Sequence, residues 1–204
     1  MKNFIVFLAF AGLFVVLPVV IYNRLIRARN EYRNAFAQIQ VQLKRRHDLI
    51  PNLVTTVEAY LKHEKHTLEA VTQARNHAAS LLQAAAAQPD NASGILSLTA
   101  SEQQLTSALR NLNVAIEAYP ELHAAQAIRD LHEELAGVEN RVAFARHAYN
   151  DAVMEYNNTR ETFPASLFAD FFGHKRNAAL LQFEDHTAIQ QAPRISLNHS
   201  GPSH

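Results

Sequence analysis

Residues 128–156 read IRDLHEELAGVENRVAFARHAYNDAVMEY, and the apolar positions of this stretch decide the fold. Ile128, Leu131, Leu135, Val138, Val142, Ala145, Tyr149, Ala152 and Tyr156 recur at alternating steps of three and four. That spacing is a heptad seam over four repeats, and it packs one helix on another at a shallow left-handed angle. Working outward, the same device appears three more times. It runs through Leu98, Glu102, Leu105, Leu109, Leu112, Ile116 and Tyr119. It runs again through Val54, Val57, Leu61, Glu64, Leu68, Val71, Arg75, Ala78, Leu82 and Ala85. The first segment carries it at Leu25, Ala28, Tyr32, Ala35, Ile39 and Leu43. Four seams with short breaks predict an all-α fold, an antiparallel bundle with coiled-coil-like packing.

The breaks have chemical causes. Asp48 and the Leu49-Ile50-Pro51 step predict the end of the first helix, because a residue before proline avoids the α region and proline suits an opening turn. Residues 88–94, QPDNASG, predict a loop, and Tyr119-Pro120-Glu121 divides the third helix from the fourth. Phe163-Pro164 ends the fourth. A short apolar helix over 165–172 should follow and close at Gly173. On this division the second helix would be about 50 Å long and the fourth about 60 Å. Residues 185–204, polar and carrying Pro193 and Pro202, read as a flexible tail.

Ahead of the bundle, residues 4–22 (FIVFLAFAGLFVVLPVVIY) form a nineteen-residue run without a charge. A hydrocarbon slab about 30 Å thick needs about 20 helical residues to cross it. A cleavable leader would carry a small-x-small site after a shorter core; the only such triplet, Ala9-Phe10-Ala11, lies inside the run. The expectation is an uncleaved N-terminal transmembrane helix over 1–23. Tyr22, Arg24, Arg27, Arg29 and Arg33 would stand at the membrane interface. Lys2 alone precedes the run, so the positive flank places the C-terminal bundle in the cytoplasm and the N-terminus outside. The first helix is expected to run on from the anchor into the bundle, with a bend near Asn23 as the alternative.

Composition narrows the function classes. There is no Cys, hence no disulfide, thiol nucleophile or thiolate metal site. Five Gly in the chain leave no glycine-rich phosphate cradle. None of the thirteen Glu has a His three residues later, which removes the di-metal bundle motif. His132-Glu133-Glu134-Leu135-Ala136 opens like a zinc-protease helix but has Ala at the second ligand position. No catalytic residue, metal site or cofactor is expected. The zero net charge divides unevenly: residues 1–50 carry eight Lys/Arg against Glu31 and Asp48, and the remainder is acidic to the same extent. An acidic bundle repels polyanions, so Lys44, Arg45 and Arg46 point to anionic lipids or an acidic partner and not to nucleic acid, with pairing to acidic residues on a neighbouring helix as the alternative. Glu64, Arg75 and Glu102 interrupt apolar seams, either as a buried network or pocket, or as edge or register positions.

Several stretches resemble a known family. They are Tyr22-Asn23-Arg24-Leu25, Arg29-Asn30, and 41–54 (VQLKRRHDLIPNLV) with Lys44, Arg45, Arg46, Asp48, Pro51 and Asn52. Further matches are Tyr60, His63-Glu64, 71–75, 117–122, Glu139-Asn140-Arg141, Tyr149-Asn150 to Tyr156-Asn157, Phe163-Pro164, Gly173 and Phe183-Glu184. Together these resemble the LemA family of bacterial membrane-anchored proteins over about residues 1–184. The resemblance implies an N-terminal membrane helix followed by a LemA-like helical bundle over 24–184, in the bacterial inner membrane. It implies no reaction. Two functions fit: a scaffold or interaction module contacting membrane lipids, an unknown protein partner or further copies of itself as a homo-oligomer; or a sensor whose bundle holds a small ligand.

Overall fold

A computed structural model of the chain describes residues 1–182 other than Lys62, without the side chains at 5, 6, 8–11, 13, 123 and 124. The tail over 185–204 and the Phe183-Glu184 pair lie outside the described residues. The described residues form α1 (Lys2–Glu58), α2 (Lys65–Ala87), α3 (Ala92–Glu117), α4 (Pro120–Ala124) and α5 (Gln126–Glu161), followed by a 3₁₀ turn at Ala165–Leu167. Among the described residues there is no strand. The long helices run up, down, up and down. Arg33 of α1 therefore faces Asp90 at the α2–α3 loop, Arg46 faces Glu102 of α3, and Tyr32 meets Tyr156 near the end of α5.

Asp48 and Pro51 do not end the first helix. α1 is unbroken through Asn23 and through Pro51, and its 57 residues make it about 85 Å long. A proline inside a helix lacks the N–H that would bond the carbonyl four residues back. Here that carbonyl belongs to His47, and Arg75 Nε donates to it from α2 at 2.9 Å. The orphan acceptor is thus satisfied by a neighbouring helix, and the helix continues. The turn comes instead at residues 59–64, which contain no Gly, Pro, Asn or Asp; Leu61, fully buried in the core, holds it closed. Val54 and Val57 consequently belong to α1, and α2, with 23 residues, is about 35 Å long rather than 50 Å.

The other breaks fall close to expectation. The α2–α3 loop is shorter than 88–94, because Asn91 caps α3 by accepting from the backbone N–H groups of Ser93 and Gly94. Pro120 opens α4, a single short helix ahead of α5. The segment after Phe163-Pro164 is a 3₁₀ turn and further turns in place of a regular helix. It ends in a Schellman arrangement at Gly173, whose φ is +84°. There His174 N–H donates to Ala169 O and Gly173 N–H to Asp170 O.

Burial follows the seams. Leu25, Ala28, Tyr32, Ile39 and Leu43 of α1, Leu98 to Ile116 at heptad positions of α3, and Val138, Val142, Ala145, Tyr149 and Tyr156 of α5 are all buried. The apolar core is nevertheless divided. One cluster fills the half nearer the N-terminus, around Phe36, Leu43, Leu82, Leu98 and Tyr149. A second fills the far half, around Leu53, Val71, Leu105, Leu112 and Ile128. A third, small one lies at the base, where Ala165 and Ala169 meet Ile21 and Leu25.

Among the described residues no helix is long and apolar enough to cross a membrane. Seven side chains of the 4–22 run, those at 5, 6, 8–11 and 13, lie outside the described residues.

Candidate functional site

Between the two large clusters lies a buried polar layer. Glu102 is 0%, His47 2% and Arg46 5% exposed. Glu102 Oε2 accepts from Arg46 Nη1 at 3.0 Å, and Oε1 accepts from His47 Nε2 at 2.8 Å. Arg46 Nη2 donates to Thr106 Oγ1 at 2.8 Å and to Glu139 Oε1 at 3.3 Å. Thr106 in turn donates to the Glu102 carbonyl, which locks its hydroxyl as an acceptor for Arg46. An ion pair with both charges desolvated persists only when hydrogen bonds saturate it. Two buried atoms remain unmatched at this level, Arg46 Nε and Gln42 Oε1, one helical turn apart on α1.

The layer gathers part of the 44–52 motif. Arg46 turns inward, whereas Lys44 is exposed and Arg45 pairs with Glu134 at 3.0 Å on the surface. Asp48 stands on the exposed side, 3.8 Å from Arg75. Pro51 and Asn52 are exposed, and Pro51 acts through the His47 carbonyl that its missing N–H releases. Of the three polar seam residues, Glu102 is a buried network member and not an edge position. Arg75 ties α2 to α1, and Glu64 stands at the residue before α2, where its carboxylate accepts from the Thr67 hydroxyl and not from the helix's backbone N–H groups. His47 carried no signal in the sequence beyond its place beside Arg46.

A second polar site lies toward the base. Asp90 accepts from Arg29 and Arg33, with Arg33 Nε at 2.8 Å, and from the Tyr32 hydroxyl at 2.8 Å. The hydrogen bond from Arg33 chiefly holds the Asp90 carboxyl well below the usual carboxylate range. Burial, helped by Asp90, pushes the Tyr32 hydroxyl up. Arg29 and Arg33 are thereby engaged within the protein. Arg27 is exposed, and Arg24 stands 3.6 Å from Glu155 with both side chains largely in solvent. Tyr22 packs edge-on against Phe172 at 5.3 Å.

Beside this clamp the chain after Gly173 returns along α5. Asn157 accepts from Ala178 N–H at 2.9 Å and donates to Ala178 O at 3.1 Å; Asn150 does the same with Leu181 at 2.9 and 3.0 Å. The repeat Tyr149-Asn150, Tyr156-Asn157 explains the match. Seven helical residues rise about 10.5 Å, and three extended residues cover about 10 Å. Each side-chain amide therefore meets the strap in register. Tyr149 Oη donates to Ala179 O at 2.8 Å, and Tyr156 Oη lies 3.0 Å from His174 Nδ1. Arg160 completes the hold, Nε donating to His174 O at 2.7 Å and Nη2 to Lys175 O at 3.0 Å. Burial keeps the His174 imidazole below its ordinary value. A pocket of about 200 Å³ opens here, lined by Arg29, Asp90, Tyr156, His174, Lys175 and Arg176 among others.

Arg46 and the paired Tyr-Asn steps both lie within a stretch that a family's sequence model matches. The LemA family's sequence model matches residues 35–197, from within α1 past the end of the strap. The chain belongs to the LemA family. It is also similar to Protein LemA of Metamycoplasma hominis, with 26% identity over 157 residues, 77% of this chain and 67% of that protein. In LemA-family terms, the family match takes in both the buried layer and the Asn-held strap. Among the described residues no group of three His, Cys, Asp or Glu could hold a metal ion.

Proposed function

We propose that this LemA-family protein is a non-enzymatic, single-pass protein of the bacterial cell membrane whose cytoplasmic bundle serves as a scaffold or interaction module. The observation that carries the reading is the relation of the apolar run to the bundle. Phe4, Phe7, Phe14, Val15, Val16, Val19 and Val20 are exposed on α1, covered by no other element, while the same helix enters the bundle at Ile21 and Leu25 without a break. In the sequence these residues belong to a run, 4–22, that carries no charge. So many apolar side chains left in water would be strongly unfavourable, about 1.5–3 kcal/mol for each large one. A bilayer removes that cost. Tyr22 and the basic residues Arg24 and Arg27 follow where an interface would fall, with Arg29 and Arg33 within the next two turns.

A rigid helix through the interface would hold the bundle upright on its anchor. Its distal, acidic half would then be presented to a protein partner or to neighbouring copies. Two measurements test the reading on the full chain. The protein should sediment with membranes and resist extraction by high salt or alkaline carbonate. A reporter active only outside the cytoplasm, fused to the C-terminus, should give no signal. Release by carbonate, or a strong reporter signal, overturns anchor or orientation respectively.

A second reading, a bundle that senses a small ligand, draws on the unmatched Gln42 Oε1 and Arg46 Nε at the polar layer. It calls for a small polar molecule that co-purifies with the protein and whose removal lowers the melting temperature. Native mass spectrometry of the detergent-solubilised protein, showing the bare chain mass alone, would exclude it.

A further inference from the structure

The segment between Pro164 and Gly173 presents its apolar residues on the wrong side for a free-standing fold. Its backbone winds in helical steps, with Ser166 N–H donating to Thr162 O, Ala169 N–H to Ala165 O and Phe172 N–H to Phe168 O. Positions four apart therefore share a face. One face, Ala165, Phe168, Ala169 and Phe172, packs on Ile21, Tyr22 and Leu25 of α1. Leu167 and Phe171 lie off that face and are 69% and 87% exposed, and Phe163, at the entry to the segment, is 75% exposed. Exposed apolar residues elsewhere on the bundle, such as Leu96, Val114 and Phe144, stand singly and need no account. Three such residues within nine positions make a concentration of exposed apolar surface, and such surface marks a place that something covers.

We infer that this segment is a second, interfacial foot: Phe163, Leu167 and Phe171 rest in the head-group region of the bilayer that receives the apolar run. The inference rests on the membrane reading above. Three observations name a lipid surface as the occupant. The foot packs at the level of Tyr22, where the uncharged run ends and the bundle begins. Exposed cations flank it in the chain and on α1, Arg24, Arg27, Lys175 and Arg176, and the nearby acids are engaged with arginines: Glu155 stands 3.6 Å from Arg24, and Asp170 and Glu161 stand 3.4 and 4.0 Å from Arg160. Aromatic residues beside Lys and Arg match the boundary between acyl chains and anionic head groups. Finally, Arg160 and the Asn-held strap fix the far end of the segment, so the foot is a rigid shelf and not a loose loop. Two points of attachment, one spanning and one resting, would set the tilt of the bundle against the membrane.

The chain contains no Trp, which makes a direct test possible. Single variants Phe171→Trp, Phe163→Trp, Phe14→Trp and Phe144→Trp of the full chain would be reconstituted in vesicles of mixed zwitterionic and anionic phospholipid carrying brominated acyl chains. All four positions are exposed, so none should disturb packing. Phe14→Trp should be quenched by deeply placed bromine, and Phe144→Trp, on the exposed side of α5, should not be quenched. The foot predicts blue-shifted emission and several-fold quenching of Phe171→Trp and Phe163→Trp by bromine placed near the head groups. If Phe171→Trp matches Phe144→Trp, the foot is overturned, whatever Phe14→Trp shows. Quenching at 171 with none at 14 would support the foot and overturn the spanning anchor. A blue shift at 171 without lipid quenching would mean that a protein surface, such as a second copy, covers the face, and that also overturns the lipid assignment.

Discussion

Two Arg-carboxylate sites, one in the middle of the bundle and one near its base, use the same groups to different ends. At the middle, Glu102 and Arg46 are shut away from solvent, and each bond between them has replaced a bond to water. Near the base, Asp90 takes two guanidinium groups and a hydroxyl while its side chain stays about a third exposed. The carboxylate with more bonds is not the one on which more stability hangs. Burial sets the scale: a stranded charge in the middle has no water to turn to, and one near the base does.

The largest expected effect is at the middle. Glu102→Ala should cost about 3–5 kcal/mol by leaving Arg46 charged and buried, a fall in Tm of roughly 10 °C for a chain of this size. Adding Arg46→Met should restore more than half of that loss, because it removes the stranded charge and Glu139, half-exposed, returns to water. Thermal melts of the two variants decide it. A double variant no better than the single would mean that the charge pair itself stabilises the bundle.

The strap gives an intermediate effect. Asn150→Ala or Asn157→Ala should cost about 1–3 kcal/mol, since each leaves a backbone N–H and a carbonyl of the strap without partners. Hydrogen exchange at Leu181 and Ala178 should quicken while that at Leu105 and Leu112 stays slow. Uniform loss of protection would show that strap and core unfold together.

Asp90→Asn should be milder, about 1 kcal/mol after screening by solvent, and should shrink further in high salt. The Glu102 effect should be nearly insensitive to salt. Equal salt dependence of the two would erase the distinction between the sites.

The smallest effects concern pH. His174 sits below its ordinary value by burial, so the unfolded chain takes up a proton first as pH falls. Its contribution is complete above about pH 6.5 and declines from there toward the lower, folded value. Asp90 also titrates below its ordinary value, so its contribution is complete above about pH 4 and is lost only in stronger acid. Stability against pH should fall in two separate windows. His174→Gln should flatten the upper one and Asp90→Asn the lower.

Residue by residue, the seams were the legible part. Leu98, Leu105, Leu109 and Leu112 are buried where the heptad places them, because one face of a helix must be apolar to pack at all. Asn91 and Pro120 mark helix starts through bonds made within a few residues, and such local chemistry can be read from order alone. Pro51 and Leu61 show the limit. A proline that should stop a helix is carried through because Arg75, 24 positions away in the sequence, reaches the freed carbonyl. A turn without a single turn residue forms because Leu61 is better buried than extended.

By itself, then, the sequence determined the helical class, the buried face of each long helix, the family and the uncharged run at the start of α1. The tertiary structure alone decided which polar residues matter together. Whether Glu102 is a bundle-edge residue or the acceptor for Arg46 and His47 depends on the rotation of α3 against α1, and whether Asn150 and Asn157 are surface amides or a clasp depends on where the chain goes after Gly173. Periodicity records how much apolar surface a helix must hide. It is silent on which neighbour hides it, because that partner is set by contacts between residues far apart in the chain.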